Sequence, residues 1–273
     1  MNQPTIAFIG AGNMASSIIG GLIQNGWPAE RLIATARTEA TLSAIKDQFA
    51  IETTTDNHQA VQQADIIMLC VKPQMMKAVL SDVRSSISAD SLLISVAAGI
   101  TMSSLEAWAG NGQAIVRSMP NTPSLLQCGA AGLFANTAVT PEQKILVDRV
   151  FSAIGIAEWV QEESLIDAVI AVSGSGPAYY FLFMEVMEQV GTQLGLDQET
   201  AKRLTQQTAF GAARMAQASD VDVAELKRRV MSPNGTTEQA INTFMDGELP
   251  ALIEKAMNAA VKRSIEMAEA LKD

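Results

Sequence analysis

The sequence predicts an α/β domain built on a largely parallel sheet, followed by an all-helical domain. Three observations carry that reading. Over the first part of the chain, short apolar runs alternate with amphipathic stretches, as strands do when crossover helices cover both faces of a sheet. The first apolar run ends in a glycine-rich turn that opens directly into a helical pattern. After about Glu162 the strand signals vanish, and the rest of the chain reads as helices separated by glycine, proline or polar breaks. The domains are therefore expected at residues 1–162 and 163–273.

The strands are expected at the apolar runs 5–10, 32–36, 66–71, 92–96 and 114–119, with further strands at 130–134 and 156–160. Helices are expected between them at 13–25, 38–49 and 141–153, the last with Pro141 in its first turn, where its fixed φ suits a helix start. In the second domain the longest apolar helix begins Ala178-Tyr179-Tyr180-Phe181-Leu182-Phe183-Met184 and runs to about Leu194. It is apolar over more than one stripe, so it should be buried on several sides. A domain of roughly 110 residues can hardly bury such a helix alone, which predicts a helix-exchanging or tightly packed homo-oligomer.

Composition excludes several classes of function. A net charge of −10 argues against nucleic acid, whose phosphates need a basic surface. The two cysteines, Cys70 and Cys128, form neither a disulfide framework nor a C-x-x-C pair, which points to a reducing cytoplasm. The first 29 residues carry no charged side chain but lack the basic start of a signal peptide. The uncharged run 168–184 is interrupted by Ser173-Gly174-Ser175-Gly176-Pro177 and is short for a span, so no membrane element is expected. The single histidine, His58, reads as a surface residue at a helix start, leaving neither a metal pair nor an obvious triad.

The turn after the first strand is Gly10-Ala11-Gly12-Asn13-Met14-Ala15, the G-x-G-x-x-A pattern in its required strand–turn–helix setting. Gly10 allows the tight turn, and Gly12 lets backbone approach a pyrophosphate. The phosphates would rest on the helix start near Asn13 and Met14. Where an NAD site places an acidic residue after the second strand, this chain has Thr35-Ala36-Arg37-Thr38, with no acid before Glu39. Thr35 and Arg37 therefore point to a 2′-phosphate, and so to NADPH over NADH, with NADH still admitted. Further rim residues stand where later strands end. These are Val71, Lys72 and Pro73, then Val96, Ala97 and Ala98 with room for a flat ring, and Asn121 in Met119-Pro120-Asn121-Thr122-Pro123.

In the helical part, Ser232-Pro233-Asn234-Gly235-Thr236-Thr237 lies between two helical stretches. Pro233 fixes φ and Gly235 permits positive φ, so a sharp turn is expected there. Thr236 and Gln239 stand at capping-box spacing. Alone, the segment reads as a capped helix–turn–helix connection, yet free N–H groups with aligned hydroxyls also make a carboxylate seat.

Taken with the upstream motifs and with Val172-Ser173-Gly174-Ser175-Gly176-Pro177-Ala178-Tyr179, the chain resembles the pyrroline-5-carboxylate reductases essentially end to end. The resemblance implies a Rossmann-type N-terminal domain, a helical C-terminal dimerisation domain, and NAD(P)H-dependent reduction of L-1-pyrroline-5-carboxylate to L-proline. It implies a homodimer through the helical domain and extends to a higher homo-oligomer such as a decamer. It implies Thr237 as the hydroxyl at the ring nitrogen, with Ser232, Gly235 and Thr236 around the substrate carboxylate and Asn57 near the cofactor adenosine. Asn234 stands where the family has glycine, and asparagine also tolerates positive φ.

Two other readings remain at this level. A β-hydroxyacid dehydrogenase shares the two-domain plan but resembles its relatives in a helical-domain lysine, and none occurs here between Lys144 and Lys202. A non-enzymatic NADP-binding regulator would need the cofactor turn but not residues 232–237.

Overall fold

The computed structural model describes residues 3–110 and 112–272. The chain begins with β1 (Ile6–Ile9), α1 (Asn13–Gln24), β2 (Leu32–Thr35), α2 (Glu39–Phe49), β3 (Glu52–Thr54) and α3 (Asn57–Gln62). It continues through β4 (Ile66–Leu69), α4 (Pro73–Val83), β5 (Leu92–Ser95), α5 (Met102–Ala109) and β6 (Ala114–Met119). Then come β7 (Gly129–Ala135), α6 (Pro141–Ser152) and β8 (Gly155–Trp159). Among the described residues these strands form one sheet in the order β3-β2-β1-β4-β5-β6-β7-β8. The strands from β3 to β6 are parallel, β7 runs antiparallel to β6, and β8 runs parallel to β7.

Burial on both faces explains the continuous apolar runs. Ile6 and Phe8 point into one core with α1 and α6, while Ala7 and Ile9 point into the other with α3, α4 and α5. The start of α6 uses a full capping box, in which Thr140 Oγ1 accepts the Gln143 N–H and Gln143 Oε1 accepts the Thr140 N–H, with Pro141 in the first turn.

The sequence reading missed β3. Its three residues, Glu52-Thr53-Thr54, are polar and partly exposed because β3 is an edge strand with only β2 as a neighbour. The Gly/Ser/Pro segment interrupts the α-helical geometry of the apolar run, as expected, but does so without a loop. Instead α7 (Leu165–Val169) widens into a π-turn, Ile170–Gly174, and α8 (Gly176–Gln193) begins after Ser175.

After α8 come α9 (Gln198–Ala218), α10 (Val223–Val230), α11 (Thr236–Asp246) and α12 (Leu249–Ala270). The chain divides into two compact units, Met1–Ser175 with Ala260–Asp273, and Gly176–Ala259. The end of α12 joins the first unit because Ser264 Oγ donates to Asp167 Oδ1 at 2.6 Å, Leu271 packs on the sheet-side core, and Gly99 lies against Met267.

The long apolar helix is left uncovered within one chain, as expected of a domain too small to bury it alone. Buried residues of the second unit are confined to Gly176, Ala201 and Thr205 among those described. Tyr180, Phe181 and Leu182 are each more than 60% exposed. Within one chain the helix is therefore not covered on several sides.

Candidate active site

The parallel sheet brings the carboxyl ends of β1 to β6 to one edge, and the reversal of strand order falls between β1 and β4. Gly10 leaves β1 with φ +100°, and a Cβ there would lie 3.0–3.1 Å from Val71 and the Cys70 carbonyl. Glycine is thus required by both conformation and contact. At Gly12 the situation is opposite, because a Cβ would meet nothing within 4 Å. That space faces the start of α1, where no side chain caps the helix and no acidic residue occupies the first turn. Gly12 and Asn13 are exposed and Met14 is half-buried. Unpaired helix N–H groups beside an open space fit a pyrophosphate.

The rest of the rim sorts the sequence-derived residues into two groups. Arg37 and Lys72 are exposed or nearly so, and Asn57, Val71, Pro73, Val96, Ala97 and Ala98 are half-buried at the same sheet edge. Arg37 has no ion pair or hydrogen bond among the described residues. Lys72 precedes α4, whose first residue is Pro73, and Asn57 opens α3.

Thr35 and Asn121 behave differently from expectation. Thr35 is 2% exposed, and its Oγ1 accepts the Gly10 N–H at 3.2 Å. Its carbonyl accepts the Ala11 N–H at 2.8 Å. It fixes the glycine turn from beneath and does not present a hydroxyl to the rim. Asn121 is 9% exposed, and both ends of its amide are engaged. Nδ2 donates to the Ser173 carbonyl at 3.0 Å and Oδ1 accepts the Ala130 N–H at 2.9 Å.

Two supporting serines gave no sequence signal. Ser95 Oγ accepts the Ala97 N–H at 3.3 Å, and Ser118 Oγ donates to the Ser95 carbonyl at 2.9 Å. They shape the 96–98 loop from inside the sheet, where a serine at a strand end reads as any other buried polar residue. Cys70, at the end of β4, is half-buried, and burial pushes its thiol up to about 12. It therefore stays protonated and is a poor nucleophile. His58 lies near the surface, with Nδ1 2.8 Å from Ser86 Oγ and Nε2 3.3 Å from Asp82.

In the second unit, the segment before α11 has its own geometry. Asn234, and not Gly235, carries the positive φ, at 59°, while Gly235 sits at −82°. Glycine is needed at 235 for space, since a Cβ there would lie 2.9 Å from the Ser232 carbonyl oxygen and against its hydroxyl. Gly235 is the N-cap, so Thr236 and Thr237 are the first two helical residues. The expected Thr236–Gln239 capping box does not form. Glu238 Oε2 accepts the Asn234 N–H at 2.8 Å, and the Gly235 N–H donates to the Ser232 carbonyl at 2.9 Å. No side chain caps α11, so the first-turn N–H groups stand beside the Thr236 and Thr237 hydroxyls. Ser232 and Thr236 are exposed, and Thr237 is half-buried.

Comparison with known proteins bears on both units. Residues 163–267 match the family model described as pyrroline-5-carboxylate reductase dimerisation. Residues 5–99 match the model described as NADP oxidoreductase, coenzyme F420-dependent. A pyrroline-5-carboxylate reductase of Pseudomonas aeruginosa is 52% identical over 271 residues, covering 99% of each chain. Among solved structures, a pyrroline-5-carboxylate reductase from Coxiella burnetii superimposes with a TM-score of 0.94 at 45% identity, over 98% of this chain and 99% of that one. The Plasmodium falciparum pyrroline carboxylate reductase with NADP bound gives a TM-score of 0.85 at 29% identity, over 98% and 99% of the two chains.

Proposed function

Because the chain belongs to the pyrroline-5-carboxylate reductase family, we propose that the glycine turn after β1 supplies the cofactor half of its binding residues and residues 232–237 the substrate half. The enzyme reduces L-1-pyrroline-5-carboxylate to L-proline, the last step of proline biosynthesis. A reduced nicotinamide cofactor, when bound, supplies the hydride. The observation that carries the cofactor half is the open space at Gly12 beside the uncapped start of α1.

Gly10, Gly12, Asn13 and Met14 would hold the pyrophosphate through backbone N–H groups. Arg37 would pair with a 2′-phosphate, which makes NADPH the preferred cofactor. Asn57, Val71, Lys72 and Pro73 would flank the adenosine side and residues 96–98 the ring. In the substrate half, the Ser232 and Thr236 hydroxyls and the free N–H groups after Gly235 would take the carboxylate. The Thr237 hydroxyl would sit at the ring nitrogen. In the net reaction the imine carbon gains a hydride and the nitrogen gains one proton. A cyclic imine is basic enough to take that proton from solvent, so a hydroxyl that orients and supports the nitrogen suffices.

The assembly proposed is a homodimer through the helical part, with larger rings such as a decamer built from it, working in a reducing cytoplasm. Support comes from the match to the dimerisation model, and from Cys70 and Cys128, which are both free thiols.

The test is NADPH oxidation with pyrroline-5-carboxylate, run beside NADH and beside a hydroxyacid with NADP. Turnover of the imine with either reduced cofactor is expected, and turnover of the hydroxyacid alone would replace this reading with the dehydrogenase one. Thr237→Ala should lower turnover by about ten- to a thousandfold with circular dichroism unchanged, the scale of one catalytic hydrogen bond. Unaltered kinetics would remove Thr237 from the mechanism.

A further inference from the structure

In an α-helix the carbonyl of Ser173 would accept from the N–H of residue 177. Residue 177 is proline, which has no N–H and whose ring crowds the carbonyl four residues earlier. The chain answers by widening. Ile170–Gly174 is π-helical, and the Ser175 N–H donates to the Ile170 carbonyl at 2.7 Å. The Ser173 carbonyl is then met from outside the helix by Asn121 Nδ2 at 3.0 Å.

Three further contacts make this a built joint. Asn121 Oδ1 accepts the Ala130 N–H at 2.9 Å, so the same amide grips the start of β7. Ser173 Oγ donates to the Val169 carbonyl at 3.0 Å, which stiffens the turn from within. A Cβ on Gly174 would lie 2.8 Å from Met119 Cε, so the π-turn lies directly on the segment that leaves β6. Asn121 is also 9% exposed, and both its donor group and its acceptor are turned inward to these partners.

We propose that Asn121 is a positioning residue of the reductase. Its side chain stands in for the helix donor that Pro177 lacks, and so locks the π-turn to the rim at the end of β6. The lock lies immediately before Gly176 begins the second unit in the chain. It acts through the shape of residues 119–121 and of the π-turn, and not by touching the cofactor. This rests on the reductase reading above.

The test uses the full-length enzyme in three forms, Asn121→Ala, Pro177→Ala and the double variant, with imine kinetics and NADPH titration by nicotinamide fluorescence. Asn121→Ala should lower kcat at least tenfold while the Kd for NADPH changes less than threefold. Adding Pro177→Ala supplies an N–H at residue 177 that can take up the Ser173 carbonyl in α register, and should recover at least fivefold of the lost kcat. A tenfold weaker NADPH complex in Asn121→Ala would make the side chain a cofactor contact and overturn the proposal. So would unchanged kcat, or a double variant no better than Asn121→Ala. If Asn121→Ala does not fold, Asn121→Asp keeps the acceptor for Ala130 and removes the donor, and the same outcomes decide. A wild-type enzyme inert toward the imine would instead remove the reductase reading itself.

Discussion

The proposed preference for NADPH rests on Arg37. It is exposed just beyond β2, has no partner among the described residues, and no acidic residue precedes it at the position that would hold a ribose hydroxyl. A charge-assisted contact to a phosphate contributes about 1.5–3 kcal/mol. Arg37→Ala should therefore raise the KM for NADPH about ten- to a hundredfold and leave the KM for NADH within about twofold. Steady-state kinetics with both cofactors checks this, and a parallel loss for NADH would place Arg37 elsewhere. Cys70 makes a different kind of statement. Its thiol is raised from 9.0 to about 12 by burial, so the native state keeps a proton that the unfolded chain has already lost in that range. The stability it contributes is intact below about pH 9 and falls as pH rises toward 12, at about 1.4 kcal/mol per pH unit. Urea melts at pH 8, 9.5 and 10.5 should show a steeper alkaline loss in wild type than in Cys70→Ser. Iodoacetamide at pH 8 should label exposed Cys128 well before Cys70 in peptide maps.

At the element scale, the turn before α11 carries the proposed substrate contacts. Asn234 in the left-handed region does what the family glycine would do, and Gly235 supplies the close approach to the Ser232 carbonyl. Asn234→Gly should therefore leave activity within about threefold and stability within about 1 kcal/mol, since both residues accept that φ. Gly235→Ala should raise the KM for the imine at least tenfold while the Kd for NADPH holds, because backbone 2.9 Å away must move. An unchanged imine KM would separate this loop from the substrate. The same segment shows what a sequence makes legible. The turn itself is readable from Pro233 and Gly235, but which residue takes positive φ depends on how the loop closes on Ser232. The β1 turn is readable because strand, glycines and helix are all local. β3 is not, because a three-residue polar edge strand has no buried face to impose an apolar alternation. Thr35 and Asn121 resemble rim residues by position along their strands. Their partners, Gly10 and then Ser173 and Ala130, are brought to them only by the fold.

At the scale of the whole molecule, the second unit is an element set without an interior of its own. Residues Gly176–Ala259 hold α8 to α11 and the first half of α12, yet Tyr180, Phe181, Leu182, Leu204 and Phe210 are each more than half exposed. Within the unit, Phe183 and Phe244 make a tilted ring contact at 5.9 Å, too little to carry helices of this length. By length and hydropathy alone, the stretch Leu165–Gln193 could cross a membrane. The match of residues 163–267 to a dimerisation model gives the apolar surface another cover, the same region of a second chain. With that cover a continuous apolar helix face needs no lipid, and the Tyr180-to-Phe183 run is expected at the interface. Folding of this unit and assembly are then expected to be one equilibrium. The melting temperature should rise with protein concentration, as it does when only the associated state is folded. Leu182→Glu places a carboxylate in the apolar face, where an unpaired charge is costly to bury. That variant should shift the light-scattering mass toward a single chain, reduce helical circular dichroism, and abolish imine reduction while the cofactor domain still binds NADPH. The wild-type mass in the same measurement separates a dimer from a decamer. A wild type that is monomeric at micromolar concentration, with a concentration-independent melt, would mean that these helices are covered in some other way.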